Sequence, residues 1–151
     1  MISTKLMPFP YEQGSGLPAP SGRHRTYDRA MSAVVFFCHG SRDPGWRVPF
    51  EQLVAEQRRR TPASSVELAF LELMTPDLPT ALDRLAAQGQ TRIRIVPLFL
   101  AAGRHTRQDL PALIDAARER WPGVQISVDA PLLDQPAMRA ALLDALCAPS
   151  S

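Results

Sequence analysis

The chain has 151 residues, of which 45% are hydrophobic and 21% charged, a composition that fits one globular domain with its own core. No apolar run reaches the length of a membrane span, and no apolar leader opens the chain, which argues against a membrane protein or a secreted one. The formal net charge of +2 arises within residues 1–30, where Lys5, Arg23, Arg25 and Arg29 outnumber Glu12 and Asp28; the remainder is neutral and gives no electrostatic footprint for nucleic acid.

Residues 1–30 are dense in Pro, Gly and Ser and show no hydrophobic period. They are expected to be a disordered or loosely attached extension, and Met31 is a second candidate start. The domain is expected over 31–148. It opens with AVVFFC (33–38), a short continuous apolar run that suits a strand buried on both faces. From about Arg47 to Arg60, Phe50, Leu53 and Val54 recur among charges, the pattern of an amphipathic helix, and Thr61-Pro62 ends it. VELAFL (66–71) reads as a second strand.

Thr75-Pro76 is expected to open the next helix, with Thr75 as N-cap and Pro76 at the first position. Leu78, Ala81, Leu82, Leu85 and Ala86 then fall at helical spacing, and Gly89 stops the helix. RIRIVPLFL (92–100) predicts a third strand, with Pro97 pointing to a frayed end or an edge. A helix follows from Gln108 to Trp121, ended by Pro122-Gly123. VQISVD (124–129) is a fourth strand and PAMRAALLDALC (136–147) a last helix. Strands alternating with helices predict an α/β fold: one domain, a mostly parallel four-stranded sheet flanked by helices.

Cys38 and Cys147 are far apart, without CxxC spacing. They argue against a disulfide scaffold or a cysteine-rich zinc site, and a reducing cytoplasm is the simple reading. Cys38 points opposite to His39 on its strand and reads as a small buried hydrophobe.

Ligands of open α/β sheets bind beyond the carboxyl ends of the strands. His39 follows the first strand, Glu72 the second, and His105 the third. Two imidazoles and a carboxylate suit a divalent first-row metal with open coordination positions; the same three groups also suit proton transfer. Gly40 and Gly45 fit a tight turn after the first strand.

HGSRDP (39–44), FLEL (70–73) with a proline soon after, and VPLFLAAGRHTRQDLP (96–111) together resemble the short sirohydrochlorin chelatases. These are class II chelatases of the cobalamin and siroheme pathways, related in fold to ferrochelatase. The similarity covers roughly residues 33–145. It implies insertion of a divalent metal into sirohydrochlorin, with His39, Glu72 and His105 as metal ligands and catalytic residues. Co²⁺, Fe²⁺ and Ni²⁺ all suit such ligands, as substrate. No GxxxxGK[ST] loop is present, so no ATP is expected, nor any organic cofactor. Ser41, Arg42, Arg104 and Arg107, on the same segments, are candidate contacts for a heavily carboxylated tetrapyrrole. The short forms pair as homodimers, and no membrane partner is implied.

One residue departs from the family pattern: Cys38 stands where Gly often precedes the histidine, which either alters the strand end or brings a thiol near the metal. Two other functions use the same residues. A carrier would hold metal or tetrapyrrole without turnover. A histidine phosphatase would also place His-Gly after its first strand, but its motif resembles Arg-His-Gly, and Cys38 occupies the arginine's place.

Overall fold

The computed structural model describes residues 32–147; the extension expected at 1–30 lies outside them. Strand β1 (Ser32–Cys38) is the hub. It pairs in parallel with β2 (Ser65–Phe70) on one side and β3 (Arg92–Pro97) on the other, and β4 (Gln125–Val128) pairs in parallel with β3. The order is β2-β1-β3-β4. Four helices connect or follow these strands: α1 (Val48–Arg60), α2 (Leu78–Ala87), α3 (Arg104–Arg120) and α4 (Pro136–Cys147).

Side chains of a strand alternate between its two faces, and β1 uses both. Ala33, Val35 and Phe37 join the larger core cluster with Leu82 and Leu85 of α2 and Leu110 and Ile114 of α3. Phe36 and Cys38 join the smaller cluster with Val54 of α1, together with Val66, Leu68 and Phe70 of β2. This explains why the first run is continuously apolar rather than alternating. Each large side chain so buried, such as Phe37 or Leu82, contributes about 1.5–3 kcal/mol relative to exposure.

The α/β class and the parallel sheet stand as expected, and α4 has the expected bounds. Three local expectations need correction. Helix α2 is capped by Asp77, whose carboxylate accepts the Thr80 N–H at 2.9 Å; the proline near its start is Pro79, and Thr75-Pro76 is a cis peptide ahead of the helix. Residues 71–77 are instead drawn back along β2, where the Phe70 N–H donates to the Pro76 carbonyl at 2.9 Å. Strand β3 ends at Pro97 rather than Leu100, and it lies inside the sheet, so Pro97 marks a strand end and not an edge. Helix α3 begins at Arg104, four residues before the expected Gln108. Pro111 sits within it, and a proline there removes one helical N–H without stopping a helix held by its apolar face.

Candidate functional site

The strand order points to the crevice where ligands of such sheets bind. From β1 the chain crosses through α1 to β2, then passes back over β1 through α2 to β3. The two connections lie against different core clusters, α1 with one and α2 with the other. The crevice of such a sheet opens where the winding reverses, here between the carboxyl ends of β1 and β3. His39 leaves β1 at that point, and α3 starts shortly after β3.

Main-chain bonds extend the sheet past its strand ends. The Leu71 N–H donates to the Cys38 carbonyl at 2.8 Å, and the Glu72 N–H to the His39 carbonyl at 3.0 Å. On the other side the Leu98 N–H donates to the Phe37 carbonyl at 2.8 Å. His39 and Glu72, 33 positions apart in the chain, are thus directly bonded neighbours. Gly40 makes this possible. Its φ is +94°, and a Cβ there would overlap the Glu72 carbonyl oxygen, so glycine meets two demands at once, a left-handed backbone and a close approach. The Glu72 carbonyl also accepts the Met74 N–H at 2.8 Å. This closes a three-residue turn with Leu73 at its apex, at φ 63°, a conformation that costs a bulky side chain energy.

The side chains of His39 and Glu72 are both exposed at the rim. The His39 ring rests on Phe99, centroids 4.7 Å apart, and Phe99 meets Phe37 edge-on at 5.6 Å. Phe99, the aromatic against the His39 ring, was missed by sequence reasoning, because the segment after β3 was absorbed into an overlong strand. Cys38 takes the opposite face, fully buried beside Phe70 in the α1 cluster. Burial pushes its thiol up to about 12, so it stays protonated and faces away from the His39 side. The reading of Cys38 as a small buried hydrophobe holds, and its thiol does not line the His39 side. Strand alternation puts Cys38 in the core.

The segment after His39 is built by its own polar groups. Ser41 Oγ accepts the Asp43 N–H at 3.1 Å, and Asp43 Oδ1 accepts the Gly45 N–H at 2.8 Å. Asp43 so caps a 3₁₀ turn at Pro44–Arg47. The Ser41 hydroxyl keeps its proton to donate. Arg42 projects from this turn into solvent. Several domain arginines are tied to a carboxylate or a carbonyl, as Arg94 is to Asp129, Arg47 to Glu51 and Arg58 to the Val66 carbonyl. Among the described residues no hydrogen bond or ion pair engages the side chain of Arg42, Arg104 or Arg107.

Arg104, His105 and Arg107 lie in the first turn of α3, not on a free loop as expected. Gly103, the N-cap, offers no capping side chain. The first N–H groups of α3 therefore face the rim unsatisfied by the helix, a setting that favours negative charge. The structure thus brings His39 and Glu72 together through the backbone, and sets His105 on the element that follows the neighbouring strand. Among the described residues no three His, Cys, Asp or Glu side chains form a ready-made metal cluster, and no helix is long and apolar enough to cross a membrane.

Residues 33–148 match the CbiX family model. The chain is 33% identical over 96 residues to the sirohydrochlorin ferrochelatase of Priestia megaterium, covering 64% of this chain and 36% of that one. Two solved structures are similar. A putative cobalamin biosynthesis CbiX protein of Marinobacter aquaeolei VT8 superposes with a TM-score of 0.65 and 34% identity, over 76% of this chain and 93% of that one. The sirohydrochlorin chelatase SirB of Bacillus subtilis subspecies spizizenii, in complex with cobalt, gives a TM-score of 0.61 and 31% identity, over 67% of this chain and 43% of that one. The chain thus spans less than half the length of the ferrochelatase and of SirB.

Proposed function

The chain belongs to the CbiX family, and from that premise we propose that it inserts a divalent metal, Co²⁺ or Fe²⁺, into sirohydrochlorin without ATP. The observation that carries the reading is the direct bond from the Glu72 N–H to the His39 carbonyl across the Gly40 contact. It brings the main chains of His39 and Glu72 together at the ends of β1 and β2, which supports a shared role for their side chains. The ferrochelatase relative and the cobalt complex of SirB support iron and cobalt respectively.

Metal insertion requires two pyrrole N–H protons to leave as the metal enters. In this reading His39 and His105 hold the metal through neutral imidazole nitrogens and face the macrocycle. Glu72 ligates the metal or accepts a released proton. Phe99 fixes the plane of the His39 ring. Arg42, Arg104 and Arg107, with the Ser41 hydroxyl and the open start of α3, take the carboxylates at the substrate's edge; guanidinium pairs with carboxylate through two parallel bonds. The working unit is 31–148, with 1–30 as an extension. The free thiols of Cys38 and Cys147 support a reducing compartment, the cytoplasm. The phosphatase alternative loses its phosphate-binding position, because Cys38 points into the core.

The working form is a homodimer. Helix α4 supports this: it buries none of its residues, and Met138, Leu142, Leu143 and Leu146 all lie exposed. A helix apolar on most of its circumference needs a cover, and a second copy of this chain would supply one.

The test is anaerobic turnover with sirohydrochlorin in excess, followed by its visible spectrum with Co²⁺ and Fe²⁺ in turn. Wild type is expected to turn over many times and a His39→Ala/His105→Ala variant to fall to the uncatalysed rate. Binding of one equivalent without turnover makes the protein a carrier. Neither binding nor turnover ends the tetrapyrrole reading.

A further inference from the structure

We propose that Trp46 and Leu73 form an apolar seat for the conjugated face of the tetrapyrrole, on the segments that follow His39 and Glu72; this rests on the chelatase reading and adds the residues that hold the ring. Both side chains are large, apolar and open to solvent, Trp46 at 44% and Leu73 at 59% exposure. Both flank the His39-Gly40 turn. Trp46 sits in the 3₁₀ turn that follows Ser41–Asp43, and its N–H donates to the Asp43 carbonyl at 3.1 Å. Leu73 sits at the apex of the turn whose Glu72 carbonyl abuts Gly40.

Each is held outward by structure rather than left loose. The Trp46 ring leans on Phe50 at 5.8 Å between centroids, and Phe50 in turn packs on the cluster containing Cys38 and Phe70. Leu73 is held at φ 63°, while its neighbour Met74 packs on that same cluster. A leucine in this conformation costs stability, yet its exposed side chain returns little burial to the fold. An asparagine or glycine would serve the backbone better. Strain retained without a folding return points to a bound partner.

The partner's chemistry follows from what surrounds the two residues. Arg42, between His39 and Trp46 in sequence, has no partner among the described residues, and Arg104 and Arg107 are in the same position across the crevice. Exposed apolar side chains, with unpaired arginines on the segments after β1 and β3, fit a broad conjugated ring with acidic groups on its edge. A metal ion alone needs neither residue, so the seat acts on the tetrapyrrole and not on the ion.

The experiment is steady-state kinetics with each substrate varied separately, on full-length wild type, Trp46→Ala, Trp46→Phe and Leu73→Gly, with melting temperature recorded for each. Leu73→Gly is the informative variant because it relieves the backbone while removing the side chain. It is expected to keep or raise the melting temperature and still raise the KM for sirohydrochlorin roughly tenfold, with the KM for Co²⁺ unchanged. Trp46→Ala is expected to do the same to the two KM values, and Trp46→Phe to restore most of the loss. An unchanged KM for sirohydrochlorin in folded Leu73→Gly and Trp46→Ala overturns the proposal while leaving the chelatase reading intact. If wild type itself neither binds nor turns over sirohydrochlorin, the chelatase reading falls and takes this one with it.

Discussion

Helices α2 and α4 are similar in length, 10 and 12 residues, and both are rich in Leu and Ala. Yet α2 buries Leu78, Ala81, Leu82, Leu85 and Ala86, while α4 buries nothing. Their patterns explain the contrast. The apolar residues of α2 keep to one stripe, with Thr80, Asp83 and Arg84 elsewhere on the circumference. Those of α4 spread around the helix, interrupted by Arg139 and Asp144 alone among charged residues. Arg139 moreover donates to the Leu133 carbonyl, in the 3₁₀ turn Leu132–Asp134 ahead of the helix. A stripe matches one surface, and the sheet supplies it; a helix apolar on most sides needs cover that the described residues do not provide. Apolar content therefore measures the need for burial, and its angular spread tells how many surfaces must meet it.

The strongest way to break this comparison is at α2. Leu82, 1% exposed, should cost about 2–5 kcal/mol when cut to alanine. Urea unfolding is expected to show this loss equally at every protein concentration; a concentration-dependent loss would mean that α2 too depends on a partner. Next comes Gly40→Ala, which places a Cβ against the Glu72 carbonyl at a left-handed φ. Its expected cost is roughly 1–3 kcal/mol, read by the same unfolding curves, and an unchanged midpoint would show that the rim backbone is looser than its hydrogen bonds imply.

Removing the cap of α2 has a smaller effect. Asp77→Ala should cost about 1 kcal/mol. Hydrogen bonding by Thr80, through its side chain and then its N–H, holds the Asp77 carboxyl below its ordinary value of 3.8. A lowered folded-state value means the stabilisation is present above pH 3.8 and is lost as pH falls through the folded value. The wild-type and Asp77→Ala stability curves should therefore converge in acid; curves that stay parallel would show that the carboxylate is not the cap. The smallest effect on the fold belongs to α4. Leu142→Glu with Leu146→Glu should leave monomer stability within about 0.5 kcal/mol, because neither side chain is buried. The same variant should sediment at half the mass of wild type. A wild type that already sediments as a monomer overturns the dimer, and a dimeric variant overturns the role of α4 in it.

Much of this molecule was legible along the chain because the signals are local. Apolar period marked four strands and four helices, and the charge-poor run 136–147 marked α4 to the residue. The rest failed where a nearby competitor decided. Asp77 won the α2 cap from Thr75 because its carboxylate reaches the Thr80 N–H. Helix α3 reached back to Arg104 because its first turn needs no apolar face, only helical backbone. Phe99 was taken for a strand residue, when it leaves the strand and lies under the His39 ring.

The sequence by itself determined the fold class, the two faces of β1, and that His39, Glu72 and His105 each follow a strand end. It also carried, through HGSRDP, FLEL and the segment up to Pro111, the family. Only the tertiary structure decided that β1 is central and that the winding reverses beside it. Only there do His39 and Glu72 meet through one backbone bond, with Gly40 as the residue that lets them. The reason is range. Periodicity, caps and turn residues act over a few positions, whereas strand order and the packing of two strand ends are set by contacts between residues far apart in the chain, which no local pattern records.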